Sequence, residues 1–364
     1  MQIKNDGQTY APKGKAKPVC QSGEFPIGVV GMDHGHIYGI CNGLSEAGAE
    51  VALVWDPVPE RVKAFLEAYP GAKAAQSRDE VMKSPNIRLV ASAAIPKDRC
   101  GIGLEAMENG KHYFADKPPL IDSSQLLAAR ETAARTGKKF CGYYAGHIHV
   151  EAAVYAEELV KQGAIGRVVQ IMICCPHRAA VETRPAWFFD KKQFGGIIVD
   201  IGSHQIAQIL TLTGAKDAKI TQSYVANYNH RQYPDFEDFG DATLICDNGC
   251  SAYFRVDWFT PKGLGCWGDG RTFILGTDGY IEIRKYIDVA TDADGDHVYL
   301  VNHEGEQHIR AANTVGFPFF GQFIRDCIDG TESAATQDYI FKVMELSIEA
   351  QEKAWAAGIG SFKE

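Results

Sequence analysis

Residues 26–57 read PIGVVGMDHGHIYGICNGLSEAGAEVALVWDP. An apolar run closes on Gly31, an amphipathic stretch follows to Gly48, and a second apolar run, VALVWD, closes on Asp56. Strand, glycine turn, helix and strand in that order make one half of an open α/β sheet. A glycine between strand and helix brings free backbone N–H groups and the helix dipole to the place where a pyrophosphate binds. The usual fingerprint, G-x-G-x-x-G, would put glycines at 33 and 36; this chain has Asp33 and His36 there, with Gly35 and Gly39 close by. Asp56 lies 25 residues after Gly31, where a carboxylate accepts hydrogen bonds from an adenosine ribose. It would repel a 2′-phosphate, and no Arg follows it immediately, so NAD is expected over NADP. A strand-end cap before Pro57 is the other reading of Asp56. Met32, Asp33, His34 and Pro96 join Gly31 and Asp56 as expected cofactor contacts.

The alternation extends outward from this unit. PERVKAFLEAYPG, RCGIGLEAMENG and DSSQLLAARETAARTG read as helices between the strands IRLVASAA, KHYFAD and KKFCGYY. About six short strands with helical crossovers predict a doubly wound parallel sheet over residues 25–144. Beyond it come longer alternating strands, RVVQIMICC, KITQSYVANYN, DATLICDNGCSAYFRVDWF, RTFILGTDGYIEIRKYI and DHVYLVNHEGEQHI, with turns at Asp247-Asn248-Gly249 and Asp278-Gly279. They predict a second, α+β domain over residues 145–364 with a mostly antiparallel sheet, closed by a helix from about Thr336 to Ala357. Residues 1–24 form an arm, either disordered or wrapped on a neighbouring subunit.

Composition narrows the class. With 45% hydrophobic and 23% charged residues the chain is an ordinary globular protein, without the run of roughly 20 apolar residues that spans a bilayer. A formal charge of -9 argues against nucleic acid as a partner. The first 25 residues lack the apolar core of a secretory signal, so the cytoplasm is expected. Ten cysteines without a C-x-x-C are expected to be free thiols. No metal is expected, because neither His34 with His36 nor His147 with His149 has the i, i+4 spacing that favours chelation from one helix face.

Two motifs carry the chemistry. KHYFADKPPL places Lys117 after Asp116 at the carboxyl end of the fifth strand, and the prolines that follow fix the local backbone. In GGIIVDIGSHQIAQILTLTG, Asp200 and His204 stand four apart, a spacing that sets a carboxylate beside an imidazole on one helix face. An N-cap Asp beside an unrelated core His is the alternative. Together with the Gly31 opening and the later GTDGYIE, these segments resemble the Gfo/Idh/MocA oxidoreductases, the glucose-fructose oxidoreductase and inositol dehydrogenase group, over nearly the whole chain. DKP is similar to that family's E-K-P, whose lysine lies beside the nicotinamide, and D-x-x-x-H is its second signature. The resemblance therefore implies catalytic roles for Lys117, Asp200 and His204, with Asp116 at the cofactor. It also implies a Rossmann domain, an open sheet used for substrate binding and subunit packing, and a homo-oligomer.

The segment GYYAGHIHVEA lacks an Arg frequent in relatives, so Tyr144, His147 and His149 are candidate substrate contacts, or else helix caps. His177, Arg178, Arg184 and Trp187, in CCPHRAAVETRPAWFF, are candidates to line a cavity for a polyol, which needs donors beside an apolar face. The expected reaction is NAD-dependent oxidation of a secondary ring hydroxyl, at C3 of the glucosyl unit of a glycoside, with NAD held tightly and recycled by a second sugar. An inositol or free aldose dehydrogenase is the enzymatic alternative. A non-catalytic NAD-binding regulator is the alternative of another class.

Overall fold

The computed structural model describes Gly7, residues 10–14 and residues 17–362, and the chain divides into two compact units. The first holds Tyr10–Tyr143 with Phe317–Phe341; the second holds Tyr144–Gly316 and the chain from Lys342 onward.

In the first unit, strands β1 (Pro26–Val30), β2 (Glu50–Trp55), β3 (Lys73–Ala74), β4 (Leu89–Ser92), β5 (His112–Asp116) and β6 (Phe140–Tyr143) alternate with helices α1 (His36–Glu46), α2 (Pro59–Ala68), α3 (Arg78–Lys83), α4 (Pro96–Glu108) and α5 (Ser123–Thr136). The strands form one parallel sheet in the order β3-β2-β1-β4-β5-β6. Every residue of β4, β5 and β6 is buried, as a sheet covered on both faces requires. The two-residue β3 is exposed and carries no apolar run to announce it. The order reverses between β1 and β4, which opens a crevice at the carboxyl ends of those strands.

The second unit contains α6 (Ala145–Ile148), α7 (Glu151–Lys161), β7 (Val168–Pro176), α8 (Lys191–Phe194), α9 (Ser203–Thr213), and strands β8 (Ala218–Ala226), β9 (Phe239–Cys246), β10 (Ser251–Asp257), β11 (Arg271–Gly276), β12 (Gly279–Arg284), β13 (His297–Asn302) and β14 (Gly305–Arg310). Its eight strands run β14-β13-β12-β11-β7-β10-β9-β8, antiparallel except for the β7–β10 pair. Ile171, Ile173, Phe254, Ile274 and Ile281 point to the buried face, against which α7 and α9 pack. The other face is open and carries Met172, Ile245, Leu275 and Tyr280.

Two segments depart from the sequence-based division. Helix α10 (Pro318–Asp329) and the first turn of α11 (Gln337–Ala357), expected in the second domain, belong to the first unit. Phe323 packs 5.2 Å from Phe114, Phe341 stacks 5.7 Å from Phe140, and the Gln337 amide bonds both N and O of Phe140 on the edge strand. Such pairing closes a sheet edge. Residues 10–14 and 17–24 of the N-terminal arm are also ordered on this unit: Val19 N–H donates to Ala47 O and Asn42 Nδ2 to Ala11 O. The remainder of the arm lies outside the described residues. All ten cysteines are free thiols, and no helix among the described residues is long and apolar enough to cross a membrane.

Candidate active site

At the β1–α1 turn Gly31 has φ +79°, and a Cβ there would lie 2.8 Å from that of Ala94. Only glycine allows the two loops to approach so closely. A cavity of about 610 Å³ opens beside it, lined by Gly31, Asp33, Trp55, Pro57, Ala94 and Lys97, at the crevice the strand order predicts. Pro96 is the first residue of α4. At the start of α1, His36 N–H lies 3.4 Å from His34 Nδ1, and the Ile37 and Tyr38 N–H groups donate to the carbonyls of His34 and Gly35. Gly39 takes over the close-packing part of the altered fingerprint, since a Cβ there would sit 2.6 Å from the Tyr143 hydroxyl. Asp56 is buried and accepts from Met32 N–H at 2.6 Å, Val58 N–H at 2.8 Å and Arg61 Nη1 at 3.4 Å. These three donors hold the enclosed Asp56 side chain at the end of β2, between Trp55 and Pro57 of the cavity wall. The loop fits a dinucleotide.

Asp116 ends β5 fully buried, and four donors converge on its two oxygens. Lys117 N and His36 Nδ1 lie at 2.8 and 2.9 Å from Oδ1; Arg99 Nη2 and His34 Nδ1 lie at 2.9 and 3.1 Å from Oδ2. Burial works against ionisation, but Arg99 and the imidazoles overcome it and hold the carboxyl well below the usual carboxylate range. Because a carboxylate only accepts, the His36–Asp116 bond puts the His36 proton on Nδ1. Burial, then the neighbouring His36, pushes His34 down to about 3, so it is neutral at physiological pH. The ligand atoms of His34, His36 and Asp116 lie within 4.8 Å of one another, a grouping that the spacing argument against metals had not considered. The four donors around Asp116 tie these residues into one hydrogen-bond network. Arg99, 1% exposed, also bonds Ala94 O at 2.6 Å, Pro118 O at 3.1 Å and Lys117 O, so it braces the backbone on the carboxyl side of Lys117.

In the second unit Asp200 lies in a π turn, Ile198–Gly202, that passes directly into α9 and His204. Gly195 and Gly196, both at positive φ, lead into it. Its first N–H groups are held by remote side chains: Ile197 N–H donates to Glu237, and Ile198 and Val199 N–H both donate to Gln351 Oε1 at 2.8 and 3.4 Å. The Gln351 amide donates in turn to Glu237. His204 is buried, with Gly146 N–H 3.5 Å from its Nδ1, at the outer limit of a hydrogen bond and too long to fix the tautomer.

Residues 25–144 match the oxidoreductase family, NAD-binding Rossmann fold, and residues 153–282 match the GFO/IDH/MocA C-terminal domain. A putative oxidoreductase from Erwinia carotovora atroseptica is 45% identical, with a TM-score of 0.89, over 93% of this chain and 100% of its own. This chain belongs to the Gfo/Idh/MocA family of oxidoreductases. Its cofactor is NAD. The scyllo-inositol 2-dehydrogenase (NAD(+)) of Bacillus subtilis is 25% identical over 66% of this chain and 67% of its own length. Levoglucosan dehydrogenase in complex with NADH and levoglucosan shares the fold at 15% identity and TM-score 0.76, over 91% of this chain and 97% of its own.

Within this Gfo/Idh/MocA chain the remaining candidates separate into two groups. Tyr144, His147 and His149 are all buried on α6 and its flanks, which pack against α9; burial, then Lys285 and Lys161, pushes His147 down to about 3. Arg178 instead spends its Nη2 on the carbonyls of Leu264, Cys266 and Pro261, a loop-bracing arrangement. Arg184 stacks on Phe188 and Trp258, while His177 meets Trp258 edge-on and Trp187 is half-buried against Phe188. Residues that motif reading missed are Arg99, Arg61, Gln351, Glu237 and Lys285. The Lys285 ammonium is buried, donates to Gln208 Oε1 at 2.7 Å, and lies 3.6 Å from where a Cβ on Gly146 would be. Burial lowers its pKa. No local pattern marks any of these five, because each has at least one partner more than 15 residues away.

Proposed function

We propose that this chain is an NAD-dependent dehydrogenase of a secondary ring hydroxyl on a sugar, with C3 of the glucosyl unit of a glycoside as the finer assignment. The observation that carries the reading is Lys117, delivered at the carboxyl end of β5 on a backbone that Arg99 and Asp116 brace on both sides. The relatives support the substrate class: inositol and levoglucosan, named for two of them, are both rings bearing secondary hydroxyls.

In this reading the Lys117 ammonium donates to the substrate oxygen and stabilises the negative charge that grows there. His204 takes the hydroxyl proton, and Asp200 orients the imidazole. NAD held at the β1–α1 loop would supply the acceptor for the hydride of the carbon that bears this hydroxyl. Asp56 binds the adenosine ribose, and Gly31 with Met32, Asp33, His34 and Pro96 shapes the loops around the dinucleotide. Tyr144, His147, His149 and Trp187 contribute donors and an apolar wall on the substrate side. The open sheet face, where Leu275 is 47% and Tyr280 49% exposed, is the surface proposed for homo-oligomer formation.

The test is mass spectrometry of glucosides, free aldoses and inositols incubated with the protein and NAD, following loss of two hydrogens. An intact glycoside that loses them supports the finer assignment; reaction of free sugars or inositols alone replaces it; no reaction in the panel overturns the dehydrogenase reading. Lys117→Met is expected to lower turnover by about 100-fold or more while NAD still binds, as calorimetry would show.

A further inference from the structure

The adenosine end of the NAD site contains a charge arrangement that the glycine fingerprint does not explain. Asp33 occupies a position where the fingerprint has glycine, so its carboxylate is an addition to the loop. It lines the dinucleotide cavity beside Gly31, Trp55 and Pro57. Arg61, on α2, places Nη1 2.7 Å from Asp33 Oδ1 and 3.4 Å from Asp56 Oδ1. Asp56 stands at the end of β2, where this fold carries its ribose-binding carboxylate. One guanidinium thus stands between two carboxylates, for a formal sum of −1 at the place where a 2′-phosphate would add roughly two more negative charges.

The arrangement is not symmetrical. The Asp56 side chain has no exposure and is occupied by the Met32 and Val58 N–H groups, whereas Asp33 and Arg61 are 21% and 37% exposed. Arg61 uses only Nη1 for these ion pairs, although a guanidinium has five N–H donors in a planar fork suited to phosphate. An Arg near the end of the second strand is the usual means of accepting a 2′-phosphate. The chain therefore contains the cation of an NADP site, tied to a carboxylate from the phosphate-binding loop.

We infer that Asp33 is a cofactor-discriminating residue that acts through Arg61: its carboxylate neutralises and restrains a guanidinium that would otherwise receive the 2′-phosphate of NADP. Asp56 alone does not set the preference for NAD; the Asp33–Arg61 pair completes it.

The experiment is calorimetric titration of the purified full chain, and of Asp33→Asn, Asp33→Gly, Arg61→Ala and Asp33→Asn/Arg61→Ala, with NAD and with NADP. The readout is the ratio Kd(NADP)/Kd(NAD), which a general loss of loop order would not move in one direction. Asp33→Asn and Asp33→Gly are expected to lower the ratio by about tenfold or more, equivalent to about 1.4 kcal/mol. Arg61→Ala is expected not to lower it, and the double variant to lose the gain of Asp33→Asn. An unchanged ratio in both Asp33 variants, a double variant that keeps the gain, or loss of both cofactors from both Asp33 variants would overturn the inference.

Discussion

Asp116 shows how much one buried side chain can organise. Its carboxylate collects Arg99, His34, His36 and the Lys117 N–H, so the position of the lysine depends on a charge that never meets solvent. Asp116→Asn replaces an acceptor by a donor and leaves Arg99 charged and uncompensated in the interior. The expected loss is about 3–5 kcal/mol, read from the urea midpoint; a midpoint within experimental error of the parent would contradict the network. Lys117 was legible in the sequence because a cation followed by two prolines at a strand end has few structural uses. Arg99 was not, since in PKDRCG it reads as an ordinary helix-surface arginine, and only the approach of Lys117 and Pro118, 18 and 19 residues away, buries it. Asp116 is equally hidden from the i, i+4 spacing of His34 and His36, because it lies 80 residues from His36 and joins them only in the fold.

At the scale of elements, the π turn before α9 is the feature that no periodicity announced. The pattern D-x-x-x-H was readable as a carboxylate and an imidazole one helical turn apart, and the glycines at 195 and 196 as the approach to it. Its first N–H groups are capped from afar: Gln351, on α11, reaches the amides of residues 198 and 199 across a gap of more than 150 positions. π turns inside helices are often found at functional sites. Gln351→Leu would strand two buried N–H groups, for a cost of about 2–4 kcal/mol, and would let Asp200 shift relative to His204. A larger fall in kcat than in NAD affinity is expected, measured by single-turnover kinetics and calorimetry; equal losses in both would assign Gln351 a purely structural part. The sheets themselves were legible because their periods differ: continuous apolar runs in the parallel sheet, alternation in the open one. The two-residue β3 offers no period to read.

For the molecule as a whole, acid is the informative stress. Burial is the main cause that lowers His34 and His147 to about 3 and His112 to about 4. Folded, these rings are neutral; unfolded, they take up protons near 6.5, so the unfolded state binds more protons between the two values. Their contribution to stability is full above about pH 6.5 and is lost as pH falls toward 4, at up to about 1.4 kcal/mol per pH unit for each ring. Melting temperatures at pH 7.5, 6.5, 5.5 and 4.5 should fall with a steepening slope, and His112→Asn should flatten it; a constant melting temperature across that range would refute the neutral assignment. The domain boundary was only half legible, because the chain's return at residues 317–341 depends on Phe319, Phe320, Phe323 and Phe341 finding Phe114 and Phe140, a match between aromatic surfaces that no linker composition signals. That return has an architectural consequence. The nucleotide-binding half is not a cassette: a gene fragment ending after Tyr143 would encode its whole parallel sheet yet expose the aromatic patch that α10 covers. Exchanging this half intact between relatives would require two separate stretches of chain, Tyr10–Tyr143 and Phe317–Phe341, to be transferred together.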